Sequence, residues 1–486
     1  MGSRMRSVVA RRKQSAPARC VNKSQLVELL DWVLPEGAAF AQDEFHGNTR
    51  WSPDQLARQA LIWSWQETRH VTDAFTHAQE ACDELGWRKT AQSYTSMMNA
   101  LERYDKVWMR AMRDRYQALA EEVGGAFFRV GDWALIGFDG SRATAPRTVS
   151  NERAFCAPHY GHGKRAKYGK KKSKGLRRKR NQQHPTHPPA PQTWITMLWH
   201  MGLRLPWTWR LGPSYASERE HVQEMLATEE FPEKTLFCGD AGFVGYPLWE
   251  AILRAKGDFV VRVGGNVNLL SQHADVKKLG GGIVLCWPKG KMDAGQPPLR
   301  LRLARVRIGN TTMWLLTSVL NAKRLTHRQL IRVYKMRWGI EVEFRGLKQT
   351  IDKHRLRCRN SARVLVELNW SLCGMAVAEL LALREQLARR KRKSGEENHP
   401  QDRSLANTLR ALRTAMRNLR TPWQARGDLL ENLSRAKVQR YRNRTDKRAR
   451  YRPPNPDKKP LGDPKLRKIN AQERLRLKTH YPRLAA

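Results

Sequence analysis

The 486-residue chain carries 90 Lys plus Arg against 45 Asp plus Glu, a formal charge of +45 with a pI near 10.7, over an ordinary 40% hydrophobic content. That length allows a buried core without disulfide staples, in roughly three domains, and the charge points to a polyanionic partner, nucleic acid first. No uninterrupted run of about 18 apolar residues marks a membrane span, the basic start lacks the apolar core of a secretory signal, and seven dispersed cysteines without a CxxC pair fit a reducing, cytoplasmic setting and argue against a zinc ribbon.

Residues 1–22 read as a basic, disordered arm, with Glu28 the first acid in the chain. Apolar residues three and four apart predict a helical domain over 23–130, a possible DNA-binding unit, with Ser52 as N-cap and Pro53 at the first helical position. From Trp133 the pattern changes to short apolar runs bounded by Gly and Pro, as in WALIGFDGS, TWITMLWHMG, WTWRLG and TLFCGDAG, which read as buried strands. Residues 131–257 form the first part of an α/β core, with a helix predicted near Ser217–Ala227. Within it, 151–192 reads as an exposed loop, because Gly161–Arg180 holds eleven Lys or Arg and no acid. A β-rich insertion follows over 258–322, where LRLRLARVRI alternates apolar and basic residues like a strand with one cationic face. Residues 323–388 carry a long helix from Thr326 past Lys348 and another near Arg363–Leu387. The region 389–486 is basic, and its Arg435–Lys468 stretch, with fourteen Lys or Arg against three acids, reads as extended.

Acids at strand ends stand out in so cationic a chain. Asp139 ends one apolar run and Asp240 ends another, each followed within two residues by Gly. If the two strands are neighbours, the carboxylates share a site, although each alone also has the form of an ordinary turn aspartate. On a continuous helix Tyr334, Arg337, Glu341 and Lys348 fall at roughly 0°, −60°, −20° and −40°, one narrow stripe, while Glu343 projects away from it. Such a stripe suits a phosphate-facing edge, and equally a solvated face carrying the Arg337–Glu341 ion pair.

The order FDG, GDAGF and Y-x2-R-x3-E-x6-K over Trp133–Leu387 resembles the DDE transposases of insertion sequence family four. The resemblance implies a ribonuclease-H-like catalytic core interrupted by a β-rich insertion, flanked by an N-terminal helical domain and a basic C-terminal helical or extended tail. It implies metal-binding catalytic roles for Asp139, Asp240 and Glu341, DNA contacts for Tyr334, Arg337, Lys348 and Arg345, and an aromatic of the insertion, here Trp314, that holds a flipped base. It further implies two Mg²⁺ ions, with Mn²⁺ as a substitute, since hard divalent ions take carboxylate oxygens. The expected reaction is endonucleolytic cleavage at transposon ends and strand transfer into target DNA. The expected partner is double-stranded DNA, bound by a homodimer in a synaptic complex at the nucleoid, with no membrane. The competing readings are a domesticated, catalytically silent DNA-binding protein and a ribonuclease-H-like nuclease without strand transfer.

Overall fold

The computed structural model describes residues 18–157, 190–271, 279–287, 296–389, 399–419, 427–438 and 461–481. Most of the basic stretch within 151–192, and 439–460 of the basic tail, lie outside these. Five helices come first: α1 (Ala18–Val33), α2 (Pro53–Trp65), α3 (Val71–Leu85), α4 (Tyr94–Arg103) and α5 (Asp105–Gly124). Ser52 accepts a hydrogen bond from Gln55 N–H and Pro53 opens α2, as the local pattern predicts.

The next segment supplies β1 (Ala134–Thr144), α6 (Val149–Phe155), β2 (Gln192–His200), β3 (Leu205–Pro213), α7 (Glu218–Thr228), β4 (Thr235–Gly239), α8 (Tyr246–Arg254) and β5 (Asp258–Val263). The helix α6 corrects the expectation of a loop from residue 151, because Thr148 caps it and Phe155 buries against the core. Strands β1, β2 and β3 form an antiparallel meander, and β4 and β5 add parallel to β1 on its other side. Strand β5 therefore belongs with the parallel core, since it pairs directly with β4.

Four further strands, β6 (Asn268–Ser271), β7 (Gly281–Cys286), β8 (Leu299–Ile308) and β9 (Thr311–Thr317), extend the same sheet from β5. A C-terminal strand, β10 (Lys465–Lys468), completes ten strands in the order β10-β6-β7-β8-β9-β5-β4-β1-β2-β3. Not every cation of β8 is open to solvent. Arg302 is buried and donates to the Leu325 carbonyl at 2.6 Å, because the next segment folds over this strand.

That segment contains α9 (His327–Met336), α10 (Gly339–Arg345) with a π-helical turn over Gly346–Thr350, and α11 (Ser361–Ala388). Helices α12 (Leu405–Asn418), α13 (Leu429–Ser434) and α14 (Ala471–His480) follow. By length and composition α11 could cross a bilayer, yet 94% of its most apolar 18-residue stretch is buried inside the protein. The N-terminal helices surround it: Trp65 donates to the Gly374 carbonyl at 2.8 Å, and Asn369 links Asp105 (3.0 Å) to the Trp209 indole (3.0 Å). One continuous hydrophobic cluster joins these helices to the sheet, so β1, which carries Asp139, and the end of β4, which leads into Asp240, stand on a rigid base.

Candidate active site

Parallel pairing sets Gly137 beside Cys238, and continuing that register places Asp139 opposite Asp240. Neighbouring strands lie about 4.8 Å apart, so the two residues lie side by side, Asp240 just past the end of β4 and Asp139 midway along β1. This corrects the expectation that Asp139 ends its strand, because pairing with β2 carries β1 on to Thr144. Each is oriented by a nearby backbone amide. Asp139 Oδ1 accepts from Gly140 N–H at 2.8 Å, and Asp240 Oδ1 accepts from Gly242 N–H at 2.7 Å.

The third acid arrives on a broken helix. The single helix expected from Thr326 past Lys348 ends at Met336, restarts at Gly339 and widens into the π turn. That break turns Arg337 inward. Its guanidinium, 4% exposed, lies 3.6 Å from Asp139 Oδ2 and donates to Glu341 Oε1 at 3.3 Å. Tyr334 packs beneath it, with the guanidinium 5.6 Å from the ring centre. The structure thus brings Asp139, Asp240, Tyr334, Arg337 and Glu341 together.

The electrostatics follow from this packing. Burial raises the Asp139 pKa most, and Asp240 and Glu341 push the same way, against the Gly140 hydrogen bond and Arg337. Burial opposes the charge on Arg337, but Tyr334, Cys238, Asp139 and Asp240 hold its pKa above the ordinary value. Burial also raises the Tyr334 phenol.

The expected DNA contacts separate into two groups. Arg345 is exposed, whereas Lys348 is half-buried in the π turn, and burial lowers its pKa. The wider turn takes it off the line projected for an uninterrupted helix. Tyr334 has almost no free surface, being 3% exposed beneath Arg337, so its expected DNA contact is corrected to support of that guanidinium. Trp314 is corrected too. It is buried, its indole donates to Asp463 Oδ1 at 2.9 Å, and Leu461 and Asp463 pack beside Gly264 and Gly265 on the adjoining loop, so no face is free for a base.

Two residues at the site escaped sequence reasoning. Glu218, the first residue of α7, has its carboxyl pKa pushed up to about 7, by burial first and then by Asp139 and Asp240. Nothing in its Ser-Glu context distinguishes it from an ordinary helix start. Trp338 is 57% exposed, with the Arg337 guanidinium 5.6 Å from its ring centre. Its signal was present, because four residues beyond Tyr334 falls roughly 40° along the projected helix, beside the stripe.

Behind the site, Glu343 faces the interior and accepts from the Trp199 indole at 3.3 Å. Burial first, then Glu379, raises its pKa well above the usual range, with the buried Arg403 opposing. A Cβ on Gly339 would lie 2.1 Å from the Trp199 ring, so α10 approaches β2 as closely as only glycine allows. These contacts orient Glu341 toward Asp139.

Asp139, Asp240 and Glu341 offer only oxygen donors, the set that suits a hard divalent cation. Among the described residues no three Asp, Glu, His or Cys side chains stand close enough together to hold an ion. Arg337 fills the space between Asp139 and Glu341. The donor chemistry suits such an ion.

Residues 200–375 match the family described as transposase DDE domain. The match spans Asp240, Tyr334, Arg337, Glu341 and Lys348 and leaves Asp139 outside it. No curated protein matches the chain. Among solved structures, the chain is similar to a piggyBac transposase synaptic complex with hairpin DNA, at 12% identity and a TM-score of 0.39, over 89% of this chain and 88% of that one.

Proposed function

We propose that this chain is a metal-dependent DNA transposase of the DDE type, with Asp139, Asp240 and Glu341 as its catalytic acids. The observation that carries the reading is the register of β1 and β4, which sets Asp139 opposite Asp240 with the Arg337–Glu341 pair laid against them. The match of residues 200–375 to the transposase DDE domain supports it from the sequence side. The strand order β3-β2-β1-β4-β5, with the first three antiparallel and the last two parallel to β1, supports a ribonuclease-H-like core.

Asp139, Asp240 and Glu341 would hold two Mg²⁺ ions, or Mn²⁺ in their place, and such a pair supplies charge stabilisation for the attacking and leaving oxygens of phosphoryl transfer. The protein's own part is positioning. Asp139 and Asp240 are aimed by the Gly140 and Gly242 amides, and Trp199 and Glu343 fix the helix behind Glu341. Arg337, once released from the carboxylates, would bind the scissile phosphate, and Arg345 and Lys348 would continue the cationic track along the backbone. Trp338, rather than Trp314, presents a free ring on which an unstacked base can lie. A water oxygen then forms the new bond to phosphorus as the P–O3′ bond breaks, leaving a 3′-OH. In the second step that hydroxyl oxygen bonds to a target phosphorus as the target's own P–O3′ bond breaks, and the proton it loses is balanced by one taken up by the departing O3′. Two DNA ends call for two copies of the chain in the synaptic complex, and DNA places the protein at the nucleoid.

The test uses labelled duplexes carrying the DNA that flanks the gene, with Mg²⁺ or EDTA. Metal-dependent 3′-OH ends at one position and joined products, both lost in Asp139→Asn and Glu341→Gln, are expected. Cleavage that survives either substitution removes the assignment. Nicking without any joined product favours a nuclease.

A further inference from the structure

We propose that Arg153, Arg355 and Arg359 form a fixed contact to the phosphate backbone of the duplex being cut, an inference that rests on the transposase reading and extends it beyond the catalytic residues. Strand β4 ends at Gly239, whereas β1 runs on to Thr144. The side of β1 that β4 leaves open is taken there by the segment after the π turn. Thr144 N–H donates to the His354 carbonyl at 3.0 Å and Leu356 N–H donates to the Thr144 carbonyl at 2.8 Å, which sets Arg355 beside Thr144. At about 3.3 Å per residue, that point lies roughly 16 Å along β1 from Asp139.

The backbone that presents these arginines is held from inside. Glu367, fully buried on α11, accepts from the amides of Arg357 (2.9 Å) and Cys358 (3.0 Å) and from Lys353 Nζ (2.8 Å). Burial opposes its charge, but Lys353 and the two amides hold its pKa below the ordinary value, so it stays ionised. Helix α6 is fastened to the same segment. The Thr148 hydroxyl donates to the Arg359 carbonyl at 2.7 Å, and the Asn151 side-chain amide donates to the Cys358 carbonyl at 3.3 Å. Arg355, Arg359 and the α6 residue Arg153 therefore stand exposed on a rigid base.

Exposed arginines alone mark no partner in so basic a chain. What distinguishes these is that the acids around them are already engaged. Asp352 pairs with Arg357 (3.0 Å) and His354 (3.1 Å), Glu367 with Lys353, and Glu152 with Arg147 (3.2 Å). Among the described residues Arg153, Arg355 and Arg359 make no ion pair and no side-chain hydrogen bond. Like charges fixed in place without local acids call for an anion that reaches all of them. A DNA backbone does so, with one charge per about 3.4 Å of each strand. Because β1 carries both Asp139 and the anchor of this strip, the contact falls at a set distance from the cut, roughly five base pairs at that spacing. That register assigns it to the end being cleaved, the first duplex the site must hold, since the target is joined only after the first step.

The test measures binding of the full-length protein, in EDTA, to labelled duplexes carrying the flanking DNA, from about 50 to 200 mM salt. Arg153→Ala, Arg355→Ala, Arg359→Ala and the triple variant are compared with wild type, with Arg355→Lys, and with Arg254→Ala, which removes an exposed cation of α8. The slope of log affinity against log salt is expected to become shallower by about 0.9 per arginine removed, equally on unrelated duplexes, while Arg355→Lys keeps the wild-type slope. Ethylation of phosphates roughly five base pairs from the cut should block binding of wild type and not of the triple variant. A wild-type slope in the triple variant, or an equal change in Arg254→Ala, overturns the proposal. So does unchanged binding of the end with loss only of joining to target. If wild type cleaves the duplex with Mg²⁺, Asp139→Asn does not, and the triple variant keeps its slope, only the arginine strip falls. Absence of cleavage by wild type removes the transposase reading, and the strip with it. Circular dichroism checks folding, and should the triple variant not fold, the single variants give the same readout.

Discussion

The buried guanidinium of Arg337 stands 3.6 Å from the carboxylate of Asp139, on a different element of the fold. It also bonds Glu341 on its own helix, so one cation bridges two of the three candidate metal ligands. Arg337→Ala leaves both carboxylates facing each other unpaired. Breaking such a partly buried pair costs about 3 kcal/mol, somewhat less here because Glu341 is 39% exposed. Denaturant unfolding in EDTA should show the loss, and saturating Mg²⁺ should recover part of it, because an ion restores the missing positive charge. Cleavage should stay at least a hundredfold down, since the group proposed to bind the phosphate is gone. Unchanged stability in EDTA would show that the bridge does not form in solution.

Trp338 and Trp314 carry opposite expectations. Trp338 is largely exposed, so Trp338→Ala should leave the melting temperature within about 2 °C, as for surface substitutions generally. Binding of DNA ends should weaken by about 1–3 kcal/mol through the lost stacking, read by a 2-aminopurine placed next to the cut.

Trp314→Phe removes the hydrogen bond to Asp463 and should lower stability by about 1 kcal/mol, with cleavage within twofold of wild type. A selective loss of cleavage in this variant would return Trp314 to the base-holding role.

Gly339→Ala should separate fold from site. The added methyl meets the Trp199 ring, and overpacking of this kind costs about 1–3 kcal/mol. Relief by displacing α10 moves Glu341, so cleavage should fall more than stability does. Trp199→Leu, which opens space but loses the bond to Glu343, should recover the stability of Gly339→Ala in the double variant. A strictly additive cycle would place the strain elsewhere.

In metal-free buffer Glu218 makes stability depend on pH. Its folded pKa, about 7, lies above the ordinary 4.5, so the folded state holds the proton more tightly. The resulting stabilisation is full below pH 4.5 and is lost as pH rises through 7. Glu218→Gln cannot lose a proton, so its melting temperature should exceed that of wild type at pH 8, and the difference should close toward pH 5. A constant gap across that range would show that the carboxyl titrates normally.

Local patterns carried much of this site to the page. Asp240 was legible because an apolar run followed by an acid and glycine marks where a buried strand meets a loop, whereas the same pattern at Asp139 singled out the residue but misplaced it, since β1 continues to Thr144. The Arg337–Glu341 pair was legible because four residues span one helical turn. Glu218 was not legible, because its meaning depends on lying over Gly140, and nothing near Ser217 records that contact. Trp314 was misread for the same reason. Its partner, Asp463, is 149 residues away, and an alternating strand looks alike whether or not the C-terminal segment covers it.

The sequence by itself determined the basic character of the chain, the two buried strand segments followed by acids, the helix that carries the third, and the resemblance that joins them. Each of these depends on charge or on side chains within a few residues of one another. Only the tertiary structure decided which acids meet, that the helix leading to Glu341 breaks to bury Arg337, that β5 joins the parallel core, and whether Trp314 or Trp338 faces solvent. Those outcomes depend on strand order and on packing between distant segments, where the alternative arrangements share the same local pattern and differ only in the non-local contacts they bury.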